Sequence, residues 1–379
     1  MEFSFSEDQN ELRRAARRFL EAESSEARVR AAMDTEQGYD SAVWEQLSEE
    51  LAWTALTIPE GYGGLGMSYL DLHPLMEEMG RALLCSPFFS TICLGANAIL
   101  LGGSEAQKEE WLPSIAAGET KVALAYAEKG RESGADAIHA TYRRDGDRYV
   151  LRGTKHYVID GHTADLIIVA ARAEKSQGLD GISLFAVSAD APGLQRSWTP
   201  SMDQTRKLAI VELEDVTVPG KSLLGEEGRG WDLCERTLDL GRIALAAEQV
   251  GAAEMCLEMA VEYAKVRQQF GRPIGSFQAI KHKCADMLTM IESARSAAFH
   301  ASALAGQGEA DLSEAASSAK AFCSDTFFHC AAENIQIHGG IGFTWEHPAH
   351  MYFKRAKATE VLLGDPSFHR ERVAQRMGL

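Results

Sequence analysis

Residues Arg267 to Met287 read RQQFGRPIGSFQAIKHKCADM, one helix ending, a tight turn, and a second long helix beginning. Gly271 and Pro273 interrupt the run, because glycine tolerates unusual backbone angles and proline lacks the N–H that a helix interior needs. Beyond the turn, Phe277, Ile280, Cys284, Met287 and Ile291 recur at helical spacing and predict one apolar face.

Working outward from this hairpin, the pattern is helical from Gly230 onward. Three long segments are separated by Gly271–Gly275 and Ala305–Asp311. The first 120 residues are also helical: Leu12, Ala15, Ala16 and Phe19 share a face, and Asp71 to Leu84 repeats in the same way. Between about 121 and 218 the texture changes to short runs rich in β-branched and aromatic residues. Tyr149–Leu151, His156–Ile159, Leu166–Ala170, Ile182–Val187 and Ile210–Val218 are separated by Gly, Asp and Pro, as strands are. Helices, then strands, then helices predict an α+β chain with segregated layers: helical over 1–120, β over 121–218, and helical over 219–379.

A chain of 379 residues with 45% hydrophobic and 25% charged residues has the composition of a globular protein with a substantial core. The net charge of −17, from 38 basic and 55 acidic residues, argues against nucleic acid as a partner, since polyanion affinity requires clustered Lys and Arg. No apolar run reaches the roughly 20 residues that span a bilayer, and MEFSFSEDQ at the start lacks the regions of a signal peptide. Seven cysteines without CxxC spacing fit buried thiols in a reducing compartment, so a cytoplasmic protein is expected.

Two local patterns have plain explanations. Gly61, Gly63 and Gly66 satisfy GxGxxG, but Pro59 and Glu60 precede them instead of a strand, so the run reads as a loop between helices. His347 and His350 beside Glu346 suggest metal ligands. Pro348 breaks their register and no third ligand stands at the required spacing, so they read as surface or helix-cap histidines and no metal is expected.

The ordered set Arg267, Phe270, Gly271, Phe277, Gln278, Ala285 and Asp286 resembles the turn of acyl-CoA dehydrogenases, in which Arg and Gln of one subunit reach the FAD of its neighbour. QIHGGIGF, Gln336 to Phe343, resembles the segment lying along the same FAD. FSFSEDQNELRRAARRFLE, IPEGYGGLGMSYLD, GSEAQKEEWLPSIAAGE, RGTKHYVIDG and DVTVPGKSLLGEEGRGW follow the order of that family, so the likeness covers nearly the whole chain. It implies an N-terminal helical domain, a β-barrel-like middle domain and a C-terminal helical bundle, assembled as a tetramer. It also implies FAD as cofactor, an acyl-CoA substrate from fatty acid or steroid degradation, and an electron-transfer flavoprotein as acceptor. The chemistry implied is α,β-dehydrogenation: a carboxylate removes the α-proton while the β-hydrogen leaves as hydride to the flavin, and hydrogen bonds to the thioester carbonyl stabilise the enolate-like charge.

Carried over residue by residue, the resemblance is uneven. Arg267, Phe270, Gln278, Gln336, Gly339 and Gly340, which would serve a neighbour's FAD, match. Asp239 and Arg242 match the Asp-x-x-Arg of the substrate-binding helix. The turn that lines the flavin ring, TEPGAGSD in the family, is AEKGRESG here (Ala127 to Gly134). Ser133 and Gly130 are kept, and Ala127 and Lys129 replace Thr and Pro. Tyr157 keeps an aromatic face where the family has WIT, and Ile159 lacks the hydroxyl. The glutamate base is absent from both family positions, which hold Leu363 and Gly241. Asp365 and Glu360 are the nearby carboxylates that could be recruited, or are ordinary helix-end charges. The one-sided loss implies a homo- or hetero-oligomer with a paralogous subunit. Three readings follow: an acyl-CoA oxidoreductase acting alone or within a heteromer, a non-catalytic subunit completing a partner's FAD site, and a different flavin chemistry on this scaffold.

Overall fold

The computed structural model describes residues 5–130, 134–306 and 311–379. In chain order the helices are α1 (Glu7–Glu23), α2 (Glu26–Met33), α3 (Ser41–Glu45), α4 (Tyr69–Arg81), α5 (Asn97–Gly102) and α6 (Glu105–Ala116). They continue with α7 (Gly230–Val266), α8 (Gln278–Ala305), α9 (Leu312–His338), α10 (Ala349–Val361) and α11 (Pro366–Arg376). The principal strands are β1 (Val122–Ala125), β2 (Thr141–Asp145), β3 (Arg148–Ile159), β4 (Leu166–Ala173), β5 (Ile182–Ser188), β6 (Leu194–Thr199), β7 (Leu208–Pro219) and β8 (Leu223–Leu224). The fold is therefore helical, then sheet, then helical. Gly61, Gly63 and Gly66 fall in a short 3₁₀ turn and the loop leading to α4, with no strand before them. No helix among the described residues is long and apolar enough to cross a membrane.

Two compact units divide the chain. One comprises Ala32–Met67 and Cys85–Gly241 and holds the sheet. Its strand order is β6-β7-β3-β2-β4-β5-β8, with β1 paired in parallel to β4, so the barrel-like layer is an eight-stranded sheet whose pairing ends at β6 and β8. Leu151, Val158, Val169, Phe185, Val187 and Val211 fill its core. The two short runs expected at 149–151 and 156–159 are one strand, β3. Its pairing with β7 shifts register between Leu151 and Gly153 and again between Lys155 and Val158. Bulges of this kind re-aim side chains and break the period-2 pattern by which a strand is recognised.

The other unit comprises Met1–Ala31, Ser68–Leu84 and Arg242–Leu379 and is helical. The Ser6 side chain caps α1 and the Gln9 side chain closes the capping box. Helices α4 and α7 approach so closely that a Cβ at Gly80 would lie 1.9 Å from the Glu248 carbonyl oxygen, and one at Gly251 would lie 1.8 Å from that of Glu77. Only glycine fits at these two contacts. Beside them Glu77 is 1% exposed, accepts from Arg13 and from Arg295 (3.2 Å), and lies 3.1 Å from His73 Nε2. Burial alone would raise this carboxyl. The His73 hydrogen bond and the charges of His73, Arg13 and Arg295 outweigh it and hold Glu77 at about 2.

Candidate functional site

In the sheet-containing unit the candidate residues gather on and beside β3. Glu128 Oε1 accepts from the His139 N–H (3.0 Å), the Ala140 N–H (2.9 Å) and the buried Lys155 Nζ (2.5 Å). Burial lowers the Lys155 ammonium, and the Glu128 charge opposes it. The His156 N–H donates to the Ala127 carbonyl at 2.9 Å, so the AEKG segment is hung on the strand by main chain and ion pair together. Tyr157 follows, with φ +57° and 52% of its surface exposed. A tyrosine in the left-handed region costs about 1–3 kcal/mol, and such strain concentrates at ligand-binding positions. Val158 and Ile159 are buried, so Tyr157 alone of the three is displayed. Asp239 is buried in α7. Ser133 lies outside the described residues.

In the helical unit, the hairpin between α7 and α8 stands out from its own chain. Phe270 is 92% exposed with φ +53°, and Val266, Arg267 and Gln278 are exposed too. The Phe270 and Phe277 rings meet edge-on at 6.0 Å, and the Arg272 guanidinium lies 4.2 Å over Phe277. The main chain of Arg267 is fixed by its N–H to the Tyr263 carbonyl (2.9 Å) and by the Ile274 N–H to its own carbonyl (2.8 Å). Its guanidinium takes part in none of the ion pairs among the described residues. A Phe held out at this exposure, on a strained backbone, is not there for the packing of this chain.

At the end of α9, Gln336, Gly339 and Gly340 are exposed. A Cβ at Gly340 would meet nothing within 4 Å, and its φ is not left-handed, so neither backbone nor own-chain packing calls for glycine there. It leaves a bare main-chain surface that an outside group can approach closely. His338 fixes the segment from behind. Its ring stacks on Tyr263 at 4.3 Å, lies 4.3 Å from His347, and bonds the Asn334 carbonyl through Nδ1 at 2.8 Å. Burial lowers both histidines. His347 Nδ1 accepts the Ala349 N–H at the start of α10, and the His350 ring packs against Trp345.

The turn between α10 and α11 carries Leu363, which stands where the resemblance places the glutamate base. Leu363 is 3% exposed and has φ +60°, and Gly364 follows at φ +106°. The Leu363 carbonyl accepts from Arg242 Nε (3.0 Å) and from His369 Nε2 (3.1 Å). A Cβ at Gly364 would collide with the rings of Phe368 and His369. Asp365 caps α11, its Oδ1 accepting the Phe368 N–H at 2.8 Å, and Glu360 pairs with Lys357 at 2.8 Å. Both carboxylates thus have local structural partners. Sequence reasoning missed His369 and Lys320, whose side chains converge on this turn. The available signal was a lysine on the face of α9 that also carries Ala316, Ala319, Cys323 and Phe327.

The chain matches the acyl-CoA dehydrogenase N-terminal domain over residues 6–119, the middle domain over 123–216 and the C-terminal domain over 228–378. Acyl-CoA dehydrogenase IpdE2 of Mycobacterium tuberculosis is 34% identical over 360 residues, which is 95% of this chain and 94% of that protein. Among solved structures, butyryl-CoA dehydrogenase from Megasphaera elsdenii superposes with a TM-score of 0.93 at 30% identity and covers 100% of both chains. A chain of the ChsE4–ChsE5 complex from Mycobacterium tuberculosis gives 0.90 at 26% identity, covering 100% of this chain and 99% of that one. With all three domain signatures in order on a matching fold, this protein belongs to the acyl-CoA dehydrogenase family of FAD-dependent oxidoreductases acting on CH–CH bonds.

Proposed function

We propose that this chain works in FAD-dependent α,β-dehydrogenation of an acyl-CoA thioester as the non-catalytic subunit of a heteromer, completing the FAD site of a glutamate-bearing paralogue. The observation that carries this reading is Leu363. The family's base position holds a buried alkyl side chain, the alternative position holds Gly241, and Asp365 and Glu360 are engaged as a helix cap and an ion pair. No residue at those positions is available to take the α-proton.

The residues offered outward suit FAD. Arg267 has a guanidinium that makes no ion pair among the described residues and has the geometry that pairs with pyrophosphate oxygens. Gln278 and Gln336 present amides, Phe270 an apolar cover, and Gly339 and Gly340 a bare strip of main chain. When bound, the flavin supplies the hydride acceptor for the β-hydrogen. This chain binds and orients the cofactor of its partner, while Tyr157 remains of its own flavin-ring wall, Ser133 matches that wall in sequence, and Asp239 and Arg242 remain of its substrate helix. Reducing equivalents pass on to an electron-transfer flavoprotein. The ChsE4–ChsE5 complex, a pairing of two named proteins on this fold, supports a heteromer.

The test is flavin content. The chain purified alone should hold FAD weakly, and co-expression with a glutamate-bearing paralogue should give a yellow complex with about one FAD per two chains, the two halves being complementary across the interface. A homomer carrying one FAD per chain refutes the division of labour.

A further inference from the structure

Lys320 lies in the first third of α9 with its side chain fully enclosed, on the helix face that carries the buried Ala316, Ala319, Cys323 and Phe327, all at most 1% exposed. A buried ammonium is tolerated only when its protons are satisfied. Here they are: Nζ donates to Ser324 Oγ at 2.9 Å, to the Glu360 carbonyl at 3.1 Å and to the Gly364 carbonyl at 3.1 Å. Three N–H groups meet three acceptors. Ser324 is itself held by Gln249 of α7. Two of the acceptors are main-chain carbonyls on either side of Leu363, whose own carbonyl takes Arg242 and His369. Basic side chains from α7, α9 and α11 thus close on one turn. That turn is where the backbone is strained, and a left-handed leucine persists only where its surroundings over-determine it.

We propose that Lys320 is a positioning residue for the side chain at 363: through the Glu360 and Gly364 carbonyls it holds the left-handed turn that sets the direction of that side chain, so the chain keeps a base-presenting turn while carrying no base. The functional half of this statement rests on the reading of 363 as the base position. The structural half does not.

A second consequence concerns pH. Burial first, then the Arg242 charge, push Lys320 down to about 7, while Cys323, Glu360 and Asp365 draw it up. The groups facing it are Arg242 on α7, Cys323 on its own helix, Glu360 on α10, Asp365 at the start of α11, and His369 on α11, which burial and the same cations hold neutral. Losing one proton leaves two N–H groups for three acceptors, so the turn loosens as pH rises through about 7.

Amide hydrogen exchange on the full chain, read on peptides spanning 358–370, tests this. Lys320→Met should speed exchange there by about tenfold or more at neutral pH, with α8 unchanged, since it removes both hydrogen bonds that Nζ donates to the carbonyls of this turn. In Leu363→Gly, which adopts the turn without strain, Lys320→Met removes the same bonds but releases no left-handed strain, so it should change exchange by clearly less than in the leucine background. Wild type, corrected for intrinsic base catalysis, should exchange faster at pH 8.5 than at pH 6, and Leu363→Gly should not. This arm needs no lysine variant and stands even if Lys320→Met fails to fold. Equal effects in both backgrounds, or exchange in wild type without pH dependence, overturn the proposal. In a heteromer whose paralogue has its own glutamate replaced by glutamine, supplied with excess FAD, Leu363→Glu should bleach flavin with an accepted acyl-CoA, and Leu363→Glu with Lys320→Met should not. Equal bleaching in both overturns the positioning role. No bleaching in either, with the exchange coupling intact, overturns the reading of 363 as base position and leaves the positioning of the turn supported.

Discussion

Replacing Arg267 with alanine separates cofactor binding from folding more cleanly than any other change in this chain. Its guanidinium is exposed and unpaired among the described residues, and main-chain bonds from Arg267 N to Tyr263 O and from Ile274 N to Arg267 O hold the hairpin without it. A surface substitution of that kind changes stability by less than about 0.5 kcal/mol, which for a chain of this size is a melting shift of at most about 2 °C. The same guanidinium, paired with a pyrophosphate, supplies charge-assisted hydrogen bonds of roughly 1.5–3 kcal/mol. At 1.4 kcal/mol per decade its loss weakens FAD binding roughly 10- to 150-fold. The assay is paired: flavin absorbance of the heteromer after gel filtration, and thermal unfolding of the apo chain by circular dichroism. Arg267→Lys should recover only part of the retention, because a point charge replaces a planar fork. Equal flavin content in mutant and wild type, together with a lowered melting temperature, would refute the reasoning and make Arg267 a structural residue.

Three further outcomes are expected. Gly340→Ala should leave unfolding unchanged, since its Cβ meets nothing within 4 Å among the described residues, yet lower flavin retention by the heteromer; retained flavin would remove Gly340 from the site. Asp365→Asn should keep both the α11 cap and the activity of the complex, because asparagine caps as well as aspartate, while Asp365→Ala should cost about 1 kcal/mol; abolished flavin reduction in Asp365→Asn would make Asp365 the base. Glu77, held at about 2 in the fold and near 4.5 when unfolded, contributes stability that is complete above 4.5 and is lost as pH falls toward 2. That is roughly 3 kcal/mol at 1.36 kcal/mol per unit, so Glu77→Gln should flatten the acid limb of a stability–pH profile, and an unmoved acid limb would show that this carboxylate does not drive it.

The long helices were legible because their punctuation is chemical: Gly230, the Gly271–Gly275 turn and the Ala305–Asp311 break fall at the ends of α7, α8 and α9. The short strands were harder. Val122–Ala125 is buried throughout and shows no alternation, Thr141–Asp145 buries one residue, and Leu194–Thr199 is partly exposed along its length with an arginine inside it. Each is placed by its sheet partners, which a local window does not contain. The dipeptide Asp365–Pro366 already had the form of a helix start, with a capping aspartate before proline at the first helical position. Lys320 was invisible for the opposite reason, since a lysine on a helix reads as solvent-facing until its three acceptors are known.

The asymmetry of the chain has a physical form as well as a sequence form. Where it would serve a neighbour it spends stability on display: Phe270 stands exposed on a left-handed backbone, and among the described residues Arg267 has no ion-pair partner and Gly340 no packing neighbour that calls for glycine. A homomer under selection only for folding would lose such features, since each is replaceable at little or no cost to the fold. Where it would perform chemistry, the framework is kept and the reacting group is not. Leu363 sits strained in a turn closed by Arg242, Lys320 and His369, an arrangement more elaborate than a buried leucine requires. A scaffold that retains the costly geometry on both sides but the functional side chains on only one fits the proposed subunit, which keeps a base-presenting turn without its base and offers an outward surface to a partner's site.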